Sequence, residues 1–499
     1  MTQRRHRPLV HVFVVSVLVV AAGAVATTLA PETRGPAPAV ASEVPVSETV
    51  VACPGLRSRE GFTESEVAAA TPPEVEGVDP DASGRGVVRT LTEDESKDKA
   101  LISLTAPGDR GSYVGRNGER DSVTGSAEGS LAPGFSVTQT ERTVDGRGRG
   151  LASTQCLPTG NDFWFVGAAS DVGESAVLVL TNPESAVATV DVGFYGKRGP
   201  LDVPNARGVQ VPERGSVELE LDQLVPGEAV LALNVEVRVG RLSAAVIETD
   251  VFGFEPLGTD WIARAEAPST SVVVPGVPAV NQGRSLTVQL DVVAPDEAAV
   301  VRVSVVTPEG SFVPEGVDVV DVPAGGMESV DMTNAFRGEP AAIVLESDAP
   351  ITAGARVTLE DPDIFGDLLF LAASQPLDGP AVVPDNRTTK DLVTRLIISA
   401  PQESAQVSVS AFAGTTTIPV ETVQIPGGST QVLTVEPKDL KRFGLVVVPE
   451  TGSGPVYAVR MLDEEGPRGP LVTSFPLRTA RLTAVVPVTV PDVVAGTVD

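Results

Sequence analysis

The sequence predicts an all-β protein, and three observations point that way. Apolar and polar residues alternate with period two over many short stretches, Pro and Gly punctuate those stretches, and one pattern of turns recurs along the chain. Period-two alternation marks a strand with one buried face. The 42 Pro and 48 Gly supply the breaks between strands. An apolar fraction of 42% is enough to pack cores, and 499 residues exceed what one core organises, pointing to about three domains.

The recurring pattern has three anchors. The first is a proline turn, Asn182-Pro183-Glu184, matched by Ala294-Pro295-Asp296 and Ala400-Pro401-Gln402. An alternating strand follows each: Val190/Val192/Phe194, Val301/Val303/Val305 and Val407/Val409/Ala411. The second lies 25 to 29 residues on, at Pro212-Glu213-Arg214-Gly215, Pro323-Ala324-Gly325-Gly326 and Pro426-Gly427-Gly428-Ser429. Proline presets φ for a turn and glycine takes the permissive position after it. Seven and nine residues past each of these prolines the side chain is apolar, with a polar one between: Leu219/Leu221, Val330/Met332, Leu433/Val435. The third anchor is a further turn, at Gly240-Arg241, Ala349-Pro350 and Gly454-Pro455. Three anchors at near-constant spacing make a repeat of about 105–112 residues. Short strands and frequent turns at that length predict tandem immunoglobulin-like β-sandwich domains, at residues 157–268, 269–382 and 383–499.

The chain begins with Arg4, Arg5 and Arg7, and residues 9–30 then run 22 positions without a full charge. This N-terminal region (1–30) is a transmembrane helix or a signal segment. Its length favours an uncleaved anchor with a cytoplasmic basic tip, and Ala24-Val25-Ala26 is the small-residue site of the cleaved alternative. Residues 31–49, rich in Pro, Ala and Ser, read as an extended stalk. Either reading places the body outside the cytoplasmic membrane, or secreted if the segment is cleaved. Without the first 30 residues, which hold three basic side chains and no acid, the net charge moves from −29 to −32. A body this acidic repels nucleic acid and anionic lipid, so nucleic-acid binding is excluded.

The two cysteines, Cys53 and Cys156, are predicted to pair, because an exported chain meets oxidising conditions. The bond closes a loop of about 100 residues worth about 2–4 kcal/mol, and two buried thiols are the alternative. Between them, residues 50–156 form the least regular region. Stretches 60–70 and 93–104 carry helix-favouring Ala, Glu and Lys, and 108–150 reads as strands and loops.

Residues 149–156 (RGLASTQC), then Phe163-Trp164-Phe165-Val166-Gly167, then residues 178–183, resemble a family of exported, membrane-anchored actinobacterial proteins catalogued only as a domain of unknown function. The similarity covers most of residues 50–499, with Cys53-Pro54 as the Cys-Pro element. The resemblance implies envelope localisation, paired cysteines and sandwich repeats. It carries over no catalytic residue.

The only histidines are His6 and His11, so the exported body has none. That removes Ser-His-Asp and Cys-His catalysis and His-ligated metal from the candidate chemistries. Ser96-Lys97-Asp98-Lys99 has Ser-x-x-Lys spacing but sits in a charged run without a Lys-Thr-Gly partner. Asp79-Pro80-Asp81-Ala82-Ser83-Gly84 resembles the start of a calcium loop, with Thr90 in place of the bidentate Glu. Asp361-Pro362-Asp363 is weaker, because Phe365 holds the next ligand position. Trp164 and Trp261 are candidate sugar-stacking contacts against the competing reading of core packing. The expectation is a non-enzymatic envelope scaffold without cofactor or metal. Its partners are the membrane, through the N-terminal helix, and an envelope protein or wall polysaccharide. The alternative is a polysaccharide-binding module or a carboxylate-based glycan-acting enzyme.

Overall fold

Strands form where the sequence alternates. Ala188–Gly196 and Ala405–Ala413 each turn their apolar residues to the interior and their polar ones outward. The computed structural model describes residues 42–56, 63–75, 78, 83–115, 121–280, 284–361, 364–414 and 416–486. The predicted membrane or signal segment lies outside these residues, as do most of the stalk and the aspartates Asp79 and Asp81 of the calcium-like loop. Among the described residues no helix is long and apolar enough to cross a membrane. The chain divides into two units. One is Pro45–Thr483; the described part of the other is residues 42–44 and 484–486, most of a two-stranded ribbon of Ser42–Pro45 with Thr483–Val486. The end of the predicted stalk is therefore strand, at Ser42–Pro45 and from Glu48 onward.

Within Pro45–Thr483 one topology is used four times. In the last copy one sheet runs, in spatial order, Ala381–Arg387, Arg442–Pro449, Ala405–Ala413, Thr416–Ile425. The other runs Ser429–Val435, Leu392–Ala400, Tyr457–Gly466, Gly469–Pro476. Numbered along the chain, these are orders 1-6-3-4 and 5-2-7-8, all antiparallel. The same two orders recur from Asp162 to Ile262, with a short extra strand at Val209–Val211. They recur again from Ser269 to Ala372, where strands six and seven are one continuous strand, Ala341–Asp361. Its first half pairs with Ser269–Val277 and Ala299–Thr307, its second with Ser285–Ala294 and Ile364–Ala372. The turn predicted at Ala349-Pro350 is thus extended backbone, which the fixed φ of proline permits; the other anchors fall between strands.

The fourth use of the topology is in residues 48–155, where the sequence shows no repeat. Glu48–Cys53, Ser122–Gly129, Gly84–Leu91 and Ala100–Leu104 form one sheet; Arg110–Val114, Thr63–Ala70, Ser136–Thr143 and Gly150–Gln155 form the other. The helical tendency of 60–70 and 93–104 is overridden. Thr63–Ala70 is a fully paired strand, and the second stretch holds only the single turn Glu95–Lys97 before a strand. Small alanines at 68–70 let the facing layers approach, and burial outweighs a propensity of a few tenths of a kcal/mol per residue. Cys53 and Cys156 are joined, closing a separation of 103 residues in this sandwich's core.

The second-anchor turn shows why its residues were chosen. Its third position is left-handed in each copy: Arg214 (φ 48°), Gly325 (φ 68°) and Gly428 (φ 73°). Glycine takes that conformation freely. Arg214 is held there by its guanidinium, which reaches Asp98 and the Thr92 carbonyl (3.2 Å) of the first sandwich.

Candidate functional site

The eighth strands of the four sandwiches, here termed closing strands, meet one another. Gly150–Gln155 contacts Glu255–Ile262, which contacts Ile364–Ala372, which contacts Gly469–Pro476, which returns to Gly150–Gln155. The sandwiches thus form a closed ring about an axis lined by these strands. Each carries a glycine near its start: Gly150, Gly258, Gly366 and Gly469. A Cβ on Gly150 would lie 2.5 Å from the Thr259 nitrogen, and one on Gly258 2.6 Å from that of Leu368. One on Gly469 would lie 2.1 Å from the Phe365 oxygen. Only glycine lets these backbones come so close.

The axis is polar and buried. Arg149, 1% exposed, donates to the carbonyls of Gly366 (2.6 Å), Gly469 (2.8 Å) and Pro470 (2.8 Å), tying the first sandwich to the third and fourth. Asp260 accepts from Ser153 N–H (3.2 Å), Trp261 N–H (2.8 Å) and the Thr473 hydroxyl (2.8 Å). Asp367 accepts from the N–H groups of Leu151 (3.3 Å), Leu368 (3.0 Å) and Val472 (2.9 Å). Burial pushes Asp260 well above the usual carboxylate range and Asp367 up to about 8, against the pull of these donors.

Two joints of the ring carry buried charge of opposite balance. Between first and fourth sandwiches, Glu66 pairs with Arg387 (2.8 Å) and Arg442 (2.6 Å). Asp385 pairs with Arg387 (3.0 Å) and Arg110 (3.6 Å) and accepts from Thr140 (2.9 Å). Burial alone would raise Asp385, yet the charges of Arg387, Arg460 and Arg110 hold it well below its ordinary value. Burial brings Arg460 down to about 10. Between second and third sandwiches the excess is acidic. Among the described residues Arg356 is the one ion-pair partner of Glu174 (3.1 Å), Glu248 (3.5 Å) and Asp250, with Asp291 nearby under the weaker pull of Lys197. Burial raises Glu248 to about 8 and Asp291 to about 7.

Openings in the ring include a cavity and a groove. Where the closing strands end, a cavity of about 440 Å³ is lined by the segments that follow them, including Arg264, Glu266, Arg478 and Arg481. Between first and second sandwiches lies a groove of about 1090 Å³ with Glu141, Asp145, Asp171, Glu174 and Asp222 on its walls. Val172 on its wall is 99% exposed, and Phe252 and Phe254, just past the lining Val251, are 76% and 91% exposed.

A family model matches residues 114–436, well over half of the chain. The chain belongs to the family of unknown function DUF5719. The matched span starts at the end of a first-sandwich strand and stops just after the fourth sandwich's fifth strand, so the DUF5719 match includes three of the four closing strands. No curated protein matches the chain. Among solved structures it is similar, at 13% identity, to a tetra-tandem repeat in the extending region of a large adhesion protein. That similarity covers 83% of this chain and 93% of the other with a TM-score of 0.08, too low to imply a shared arrangement.

In this DUF5719 chain the tryptophans singled out from sequence are interior residues. Trp164 is 6% exposed, packs on Tyr195 with ring centres 5.5 Å apart, and belongs to the core shared with the third sandwich. Its neighbours Phe163 and Phe165 turn the other way, into the second sandwich. Trp261, 1% exposed, packs with Ala152, Val179 and Ile247. Neither ring offers a face to a sugar. The Ser96 hydroxyl donates to Asp94 (2.7 Å), while Lys99, the lysine of the Ser-x-x-Lys spacing, donates to the Tyr113 hydroxyl (3.3 Å). Among the described residues no group of three His, Cys, Asp or Glu is placed to hold a metal ion. Of the residues at the axis, the joints and the openings, the sequence singled out Trp261, Cys156 and the stretch 149–156, and none of the charged groups of the two joints. The glycine at the start of every closing strand was the available signal.

Proposed function

We propose that this chain is a non-enzymatic interaction protein of the bacterial cell envelope. Residues 9–30 hold it to the membrane, its immunoglobulin-like sandwiches lie outside, and the ring docks a protein partner. The observation that carries the reading is the exposed trio Val172, Phe252 and Phe254 beside the acidic groove. Large apolar side chains clustered in water and rimmed by charge are the usual mark of a surface that becomes covered. The groove's acids select a partner with a basic rim and an apolar centre. The ring supports a scaffold role, because residues tied across its joints present the groove on a fixed frame. The test is in-cell photo-crosslinking from Phe254 and, as control, from exposed Val239, followed by mass spectrometry. A defined protein adduct from Phe254 alone is expected; identical adducts from both positions, or none from Phe254, would sink the reading.

Action on wall polysaccharide is a second reading, favoured by the carboxylates along the same groove. The buried tryptophans do not support it. Glycan-array binding lost on Asp171→Asn with Asp222→Asn, in a folded variant, would favour it over protein docking.

A further inference from the structure

A charged group removed from water is normally paired. Arg149 and Arg460 are buried and Arg264 is half-buried, each without a carboxylate ion pair among the described residues, and they resolve this differently. Arg149 donates to three carbonyls, and Arg460 donates to the Asp385 carbonyl (2.8 Å) while lying 4.5 Å from the centre of the Phe475 ring. Arg264 has the Phe163 ring at 4.8 Å and one long hydrogen bond, to the Asp162 carbonyl at 3.2 Å. Its Nε finds no acceptor among the described residues, nor do Nε of Arg149 or Nε and Nη1 of Arg460, but of the three only the Arg264 side chain lines the axial cavity.

Two more arginines converge there. Arg478 pairs with Glu266 and donates to the Arg264 carbonyl (2.9 Å), so the nearest carboxylate is already engaged. Arg481 is exposed and takes no ion pair among the described residues. Burial first, then the charges of Arg478 and Arg481, depress the Arg264 guanidinium. In a chain with 66 acids and 37 basic residues, a cavity with three arginines against Glu266 and Asp378 runs counter to the overall charge. Low-dielectric walls focus such a field on whatever anion enters. At about 440 Å³ the cavity falls in the range of small-molecule sites and far exceeds an inorganic ion. Phe135 and Leu477 supply apolar wall, and Ser136 and Gln155 supply hydroxyl and amide.

We propose that this cavity binds a small hydroxylated organic anion, of the sugar-acid or hydroxy-carboxylate class, through Arg264 and Arg481. The carboxylate meets the guanidinium groups, for which the fork geometry of arginine is suited. The hydroxyls meet Ser136 and Gln155. The site is distinct from the acidic groove and does not rest on the docking reading.

The test is titration calorimetry of the full chain with glucuronate, glucose and inorganic phosphate. Saturable binding of glucuronate alone is expected, weakened about tenfold by Arg481→Gln, which removes one exposed charge. Arg264→Gln is expected to abolish it, with the thermal melt of each variant recorded alongside. No saturable glucuronate binding, or equal binding in wild type and Arg481→Gln, would overturn the proposal. Glucose binding equal to glucuronate would overturn the role of charge. Phosphate matching glucuronate would overturn the assignment to an organic anion.

Discussion

Arg149 is the most informative residue to perturb, because one side chain joins three sandwiches. Arg149→Leu keeps an apolar stem and deletes the guanidinium that donates to Gly366, Gly469 and Pro470. Each hydrogen bond from a charged donor contributes about 1.5–3 kcal/mol, and each carbonyl left dry costs about 1–3 kcal/mol. Against this, the variant no longer buries a charge. The balance is a loss of about 4 kcal/mol. Unfolding entropy for a unit of this size is about 0.9 kcal/mol/K, so a single transition moves down by only about 4 °C. Urea unfolding followed by tryptophan fluorescence is the better assay, since Trp164 and Trp261 are both interior. Arg468→Leu is the matched control: it too precedes a closing-strand glycine, but it is half-exposed and paired with Asp145 (2.5 Å), a surface pair worth under about 1 kcal/mol. If Arg149→Leu lies within about 1 kcal/mol of Arg468→Leu, the axis is not held by this arginine and the reasoning fails.

Three other outcomes follow from the geometry. Glu248 and Asp291 have folded pKa values raised to about 8 and about 7, whereas unfolded carboxyls titrate near about 4. The fold keeps protons that the unfolded chain releases, so their contribution is greatest at the acid end of that window. It is lost as pH rises toward 8, at up to about 1.4 kcal/mol per pH unit for each group; urea midpoints from pH 5 to 8 should fall, and Glu248→Gln should flatten the slope. Reducing the Cys53–Cys156 bond opens a 103-residue loop and should lower stability by about 2–4 kcal/mol, measured as the urea midpoint with and without reductant. At Arg214, φ 48°, replacement by Gly should be tolerated better than by Ala by about 1 kcal/mol, since both lose the Asp98 pair and only Ala keeps the strained backbone. Equal midpoints for those two variants would remove the strain argument.

The sequence made strands and turns visible wherever alternation and proline spacing are regular, from Asn161 onward, and the pairing of the two cysteines as well. It hid the first sandwich for a specific reason. Its turns do carry the same signals, at Thr71-Pro72, Ala106-Pro107-Gly108 and Ala132-Pro133-Gly134. A long connection between Ala70 and Gly84 stretches the first interval out of register with the other copies, and Thr63–Ala70 is composed like a helix. The ring itself is a property of contacts between copies, and no short motif encodes it. The arginine-lined cavity is assembled from segments more than 300 residues apart, so neither spacing nor local composition brings Gln155, Arg264 and Arg481 together.

A closed ring also has an order of manufacture. Glu66 is made early, and its partners Arg387 and Arg442 follow 321 and 376 residues later. Until the fourth sandwich is complete, the first carries a buried-type acid with no counter-charge and a closing strand with no neighbour on one side. The chain therefore cannot finish its first sandwich's interface until its last has been synthesised. A product truncated after the third sandwich would be recognisable, to a protease or to itself, by that open edge.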